Sequence, residues 1–172
     1  MAVLPIITAP DRRLKVKSTP VEAVDDDVRK LLGDMLETMH AAPGIGLSAV
    51  QVGVPKCLIT VDVSRDDEDN APLFLANPEI IEYSNEILTF SEGCLSLPDQ
   101  FADLPRPEAI ILDYLDYDGA QQQIQADGLL SRCIQHEMDH LLGRLFVDHM
   151  SAVKRSMILR KLEKARRQKV ND

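Results

Sequence analysis

Apolar residues at Val28, Leu31, Leu32, Met35, Leu36 and Met39 recur at helical spacing through residues 25–40, and the pattern predicts an amphipathic helix there. Asp25, Asp26 and Asp27 place negative charge at its start, where the helix dipole favours it. The period then changes. Residues 57–63 read as a strand, as do 73–76, 86–90, 109–117 and 121–126, with Asp118-Gly119 as the hairpin turn between the last two. Between the first two strands, residues 64–70 hold Asp66, Asp67, Glu68 and Asp69, an acidic run expected as a solvated hairpin tip. Helical spacing returns over residues 128–142, stopped by Gly143, and again over 151–168, where Ser151 is the expected N-cap. A helix, a series of strands and then two helices predict an α+β fold with antiparallel pairing. With no internal repeat and no Ser/Gly linker, residues 1–172 read as one domain.

Composition narrows the class. Apolar residues make up 45% of the chain, a globular figure. No apolar run approaches the roughly 20 residues of a membrane span, and the short apolar start before Pro10 lacks the basic region of a signal peptide. Cys57, Cys94 and Cys133 cannot all pair and their spacing gives no disulfide framework, which points to a reducing, cytoplasmic setting. The net charge of −9 is unevenly spread: residues 151–172 carry eight Lys/Arg against two Asp/Glu, so the rest of the chain is more acidic still. Such a body is a poor match for DNA. The basic tail alone is a candidate for RNA.

The segment His136-Glu137-Met138-Asp139-His140 fits H-E-x-x-H on a predicted helix. At about 100° per residue, the two histidines lie about 40° apart and one turn along the same face, so both rings can chelate one ion with Glu137 beside them. Leu129 and Cys133 share that side of the helix. Leu130, Ile134, Met138 and Leu141 form an adjacent core stripe, and Ser131, Gln135 and Asp139 lie opposite the first group. A third ligand does not follow from the neighbouring sequence. Phe146 occupies the position where a metzincin has its third histidine, and Glu163 sits among Lys161, Lys164, Arg166 and Arg167, where an ion pair explains it. Cys133 precedes His140 by about 10 Å of helix and is out of reach, so it is expected beside the metal, lining a pocket. Cys57 lies in an apolar strand and reads as core. Cys94, in Glu92-Gly93-Cys94-Leu95-Ser96, is the remaining thiol.

Gly44-Ile-Gly-Leu-Ser-Ala-Val-Gln51 is a flexible turn when taken alone. Taken with Glu92–Ser96 and with Gln135–His140, in that order and spacing, it resembles peptide deformylase, whose pattern is G-x-G-L-A-A-x-Q, E-G-C-L-S and Q-H-E-x-D-H. Ser48 replaces the first alanine of the pattern, while Phe101 and Arg132 stand where relatives often have arginine and an aliphatic residue. The resemblance implies removal of formate from N-formylmethionyl nascent peptides. It also implies antiparallel sheets packed around a central metal-binding helix, with an N-terminal and a C-terminal helix. It makes Cys94 the third ligand beside His136 and His140, with Fe(II) expected and Zn, Ni or Co able to replace it. It further gives Gln51 and the Leu95 N–H as oxyanion donors, Glu137 as proton carrier, and Gly46, Leu129 and Cys133 as the substrate pocket. Glu92 is expected to support the Cys94 loop from behind the ligands by pairing with Arg106. The basic C-terminal segment is expected to dock the ribosome, and deletion of residues 154–172 to leave turnover of a small peptide intact. A zinc endopeptidase would need a non-cysteine third ligand, and an inactive metal-stabilised RNA- or ribosome-binding module would need four protein ligands.

Overall fold

The computed structural model describes residues 1–64 and 71–172. The acidic stretch expected as a hairpin tip lies largely outside them. Helix α1 spans Asp26–Ala41, capped by Asp25, whose side chain accepts from the Val28 N–H, and it buries Leu32, Met35 and Met39. Strand β1 (Gly46–Ser48) and a 3-10 turn (Ala49–Val52) follow. Strands β2 (Leu58–Val61), β3 (Leu73–Tyr83), β4 (Ile87–Cys94), β5 (Leu97–Pro107), β6 (Ala109–Leu115) and β7 (Gln121–Asp127) come next. Helix α2 (Gly128–Leu141), a 3-10 turn (Phe146–His149) and helix α3 (Ala152–Asn171) complete the chain. All named pairings are antiparallel, in one five-stranded sheet of order β1-β2-β3-β6-β7 and a separate β4-β5 hairpin. The fold is α+β.

The helices fall where periodicity puts them. Ser151 caps α3 as expected, accepting from the Lys154 N–H, although the helix runs on to Asn171. The strands depart further. β5 was not anticipated, because Pro98, Pro105 and Pro107 argue against a strand; in a two-stranded hairpin every strand is an edge, where proline is tolerated. The segment around Cys94, expected as a loop, is the end of β4 and the tight return into β5. β3 continues past Ala76, beyond the strand expected over 73–76, through Asn77-Pro78. Asn77 takes φ 48° at a register shift, and its side chain bonds both the N–H and the carbonyl of Val21. β1 has three residues, too few for a pattern to show.

The buried core falls into three clusters. Ile134, Leu141 and Cys133 pack with Ile59, Val61, Leu75, Ile110 and Leu112 of the large sheet. Leu32, Met35 and Met39 of α1 meet Leu47 and Leu58 on its other side. Leu14, Leu97, Leu104 and Phe146 join Ile158 and Leu162 of α3 under the hairpin. At about 1.5–3 kcal/mol for each fully buried large side chain, the first of these clusters holds α2 on the sheet, and contacts of α2 with β5 place the helix beside the hairpin. Ser131 and Gln135, on the polar side of α2, are buried as well. Gln135 donates to the Pro107 carbonyl and to the Ser131 hydroxyl, fastening the helix to the end of β5.

Candidate active site

The site forms where the inner face of α2 meets the β4-β5 turn. His136, Glu137 and His140 point inward and are 9%, 3% and 0% exposed. Cys94 arrives from the end of β4, and its Sγ lies 3.3 Å from His140 Nε2. Ligand atoms of Cys94, His136 and His140 all lie within 4.8 Å of one another, the one such group among the described residues. A tetrahedral ion with bonds of about 2.3 Å to sulfur and 2.0–2.1 Å to nitrogen separates these donors by about 3.5 Å, so the donor set fits a borderline-soft divalent metal.

The two histidines are supported differently. His136 Nδ1 lies 2.9 Å from Glu92 Oε1, which leaves Nε2 free to face Cys94. Arg106 donates to both oxygens of Glu92 through Nε and Nη2. The structure therefore does bring Glu92 and Arg106 together. Burial works against the charge of Glu92, but hydrogen bonds from His136 and Arg106 outweigh it and hold the carboxyl at about 2. His136 is likewise disfavoured by burial as a cation, yet Cys94, Glu92 and Glu137 beside it push it well above the usual histidine value. His140 is pushed well below, by burial and then by the charges of His136 and Arg106. Its Nδ1 has no hydrogen-bond partner among the described residues, so on that side only packing orients the ring, while Nε2 faces Cys94.

Glu137 is pushed up, chiefly by burial. Its Oε2 accepts from the Ser48 hydroxyl at 2.6 Å. The Ser48 N–H meanwhile donates to Gln51 Oε1 at 2.9 Å, which turns Gln51 Nε2 towards Ser96 Oγ (3.0 Å) and Cys94 Sγ (3.7 Å). Ser48 thus ties Glu137 and Gln51 to one short strand. In the sequence Ser48 was visible only as a departure from alanine; its contact with a residue 89 positions away depends on β1 lying alongside α2. Gly46 is required for the same reason, since a Cβ there would come within 2.7 Å of Cys133 Sγ and 2.8 Å of Glu137 Oε1.

A pocket of about 730 Å³ opens above these groups, and Gly46, Leu95, Leu129 and Cys133 all line it. Leu95 follows Cys94 directly and packs its side chain towards Gly44. Two of the three departures from the usual pattern, Phe101 and Arg132, shape the rim. The Arg132 guanidinium stacks 3.7 Å above the Phe90 ring and lies 3.9 Å from Glu108, while Phe101 stands exposed beside Gly93. Cys133 takes no place among the ligand atoms; its Sγ donates weakly to the Ile45 carbonyl.

Fold and site together define a metal-dependent hydrolase of the H-E-x-x-H class. The family model for polypeptide deformylase matches residues 3–156. The peptide deformylase of Pelagibacter ubique is 51% identical over 171 residues, 99% of each chain, and that of Agrobacterium fabrum is 48% identical over 170 residues, covering 99% of this chain and 100% of the other. A crystal structure of peptide deformylase from Ehrlichia chaffeensis superposes with a TM-score of 0.94 at 43% identity, over 98% of this chain and 99% of that one. The chain belongs to the polypeptide deformylase family. It is an enzyme of this type, a metal-dependent hydrolase that removes the formyl group from N-formylmethionine at the start of new polypeptides and releases formate.

Proposed function

We propose that Cys94, His136 and His140 hold one divalent ion, that Glu137 moves the proton, and that Gln51 and the Leu95 N–H receive the developing oxyanion, within one catalytic domain spanning residues 1–172. The convergence of the three ligand atoms beside the buried Glu137, with Cys94, His136 and Glu137 lining one open pocket, carries this reading. A thiolate with two imidazoles suits Fe(II), Zn, Ni and Co. Family resemblance favours Fe(II). When bound, the ion supplies Lewis acidity that makes water a nucleophile near neutral pH.

The chain's own groups do the rest. Water adds to the formyl carbon, the C–N bond breaks, and formate and a free amine result. Glu137 takes a proton from the water and delivers it to the leaving nitrogen. Gln51, with its carbonyl already held by the Ser48 N–H, has its amide hydrogens directed to the Cys94 side of the pocket. One such donor is typically worth about 3 kcal/mol in the transition state. Gly46, Leu129 and Cys133 offer the apolar lining that a methionine side chain needs. Dialysis against a chelator is expected to abolish formate release, and Fe(II) added without oxygen to restore it. A metal-free protein that keeps its full rate would refute the ligand assignment.

The chain's free cysteines suit a cytoplasmic enzyme, and no helix among the described residues is long and apolar enough to cross a membrane. The basic α3 is proposed to dock ribosomal RNA and so bring the enzyme to nascent chains. Its packing alters the experiment. Ile158 and Leu162 belong to the cluster with Leu97 and Phe146, so deletion from residue 154 would strip the core beneath the Cys94 turn. Reversing charge at Lys161, Lys164, Arg166 and Lys169 spares those contacts. The quadruple glutamate variant is expected to lose most ribosome binding at low salt, because phosphate contacts act through counterion release. Its turnover of a free formyl-tripeptide should stay within about twofold. Ribosome binding as tight as that of the unchanged chain would reduce α3 to a surface helix.

A further inference from the structure

We propose that His149, which none of the three sequence motifs includes, is a positioning residue for His136 and hence for retention of the metal. The proposal rests on the reading above that His136 is a ligand. A continuous chain of polar contacts joins the two rings. His149 Nε2 lies 2.8 Å from Asp139 Oδ2, and the same oxygen accepts from Arg106 Nη2 at 3.1 Å. Arg106 grips Glu92 through two donors, and Glu92 Oε1 meets His136 Nδ1 at 2.9 Å. The chain draws on the 3-10 turn after α2, on α2 itself, and on β5 and β4. It passes from a half-exposed ring, through side chains of Asp139, Arg106 and Glu92 that are 15%, 7% and 9% exposed, to the site.

The physical argument concerns how one guanidinium is shared by two carboxylates. The Arg106 Nη2 donates to Glu92 Oε1 at 2.9 Å and to Asp139 Oδ2 at 3.1 Å, so its placement is set by both carboxylates. Asp139 is an acceptor with little access to water, and His149 supplies it with a second donor. Without His149, Asp139 satisfies itself from Arg106 alone or turns outward, and either movement shifts the guanidinium that orients Glu92. Glu92 in turn holds the Nδ1 proton of His136 and keeps Nε2 aimed inward. Direct outer partners of ligating histidines typically change metal affinity by about 10–100-fold. Through two further links, an effect on the order of 5-fold is expected.

The measurement is the rate at which zinc-loaded protein releases its ion to excess chromogenic chelator. His149→Ala should release zinc on the order of 5-fold faster, and His149→Gln, which places an amide N–H near the Nε2 position, should restore the original rate. In an Asp139→Asn background, already faster, His149→Ala should add nothing further, because both substitutions cut the same chain. Release from His149→Ala at the unchanged rate overturns the proposal, and so does equal acceleration by alanine and glutamine, or full additivity with Asp139→Asn. Cys94→Ala, run in parallel, separates the two readings. If it binds no zinc while His149→Ala behaves as the parent, only the relay fails; if it holds zinc as tightly as the parent, the ligand assignment and the relay fall together.

Discussion

Cys94→Ala is expected to leave the protein without a bound ion, whereas Cys133→Ala should retain one ion per chain. Cys94 Sγ stands 3.3 Å from His140 Nε2, at the separation two ligands of one tetrahedral ion would have. Cys133 shares the site-facing side of α2, but its Sγ is turned onto the Ile45 carbonyl, and burial pushes its thiol well above the usual value, with Glu137 and Glu92 adding to the effect. It is poorly placed to give a thiolate. Structural zinc sites bind with about 10–16 kcal/mol in all, so loss of one ligand of four corresponds to about 3 kcal/mol, a factor of at least 10² in affinity. The fold should survive, since removing one half-buried sulfur costs at most about 1–2 kcal/mol. Metal analysis of the two purified variants decides the matter. Full occupancy in Cys94→Ala would show the wrong thiol has been assigned.

Glu137→Gln should lower kcat by at least ~10²-fold with the metal retained, because the amide keeps the shape and loses the proton carrier. The same substitution should stabilise the metal-free protein. Burial raises the carboxyl in the folded state above its unfolded value, so the folded protein binds the extra proton more tightly. Its stability then falls as pH rises from the unfolded value of about 4.5 through the raised one, so the cost of burying the charge grows over that interval. Glutamine has no such cost, and its carbonyl still accepts from the Ser48 hydroxyl. Thermal unfolding of metal-free samples should show a higher Tm for Glu137→Gln at pH 7.5, with the gap closing at pH 4; each kcal/mol corresponds to about 2–4 °C for a chain of this size. Near-normal kcat would take Glu137 out of the proton-carrying role, and equal Tm values at pH 7.5 would contradict the burial cost.

The parts of the protein that were legible in the sequence are those with a local signature. Periodicity placed α1, α2 and α3, and the motif on α2 fixed which histidines share a face. The Cys94 segment and Gln51 became meaningful only in combination, since neither has a helix-borne pattern of its own. The pairing of Glu92 with Arg106, 14 residues apart, was expected from the need to support the Cys94 segment behind the ligands, and the structure shows it. What stayed hidden was set by contacts between distant segments. β5 was concealed by its prolines, which an edge accepts, and the outer half of β3 by Asn77-Pro78, where a bulge rather than an end occurs. The Ser48–Glu137 hydrogen bond and the His149–Asp139 link depend on how β1 and the final 3-10 turn lie against α2. No spacing rule connects those residues. Chemistry was therefore easier to read than the polar framework that holds it.

The most direct measurement of the central claim is the product analysis of formyl-Met-Ala-Ser incubated with the Fe(II)-loaded protein. The site described here predicts formate and intact Met-Ala-Ser in equal amounts, with no product from unformylated Met-Ala-Ser. Cleavage of a peptide bond, or no formate from fully loaded protein, would contradict it.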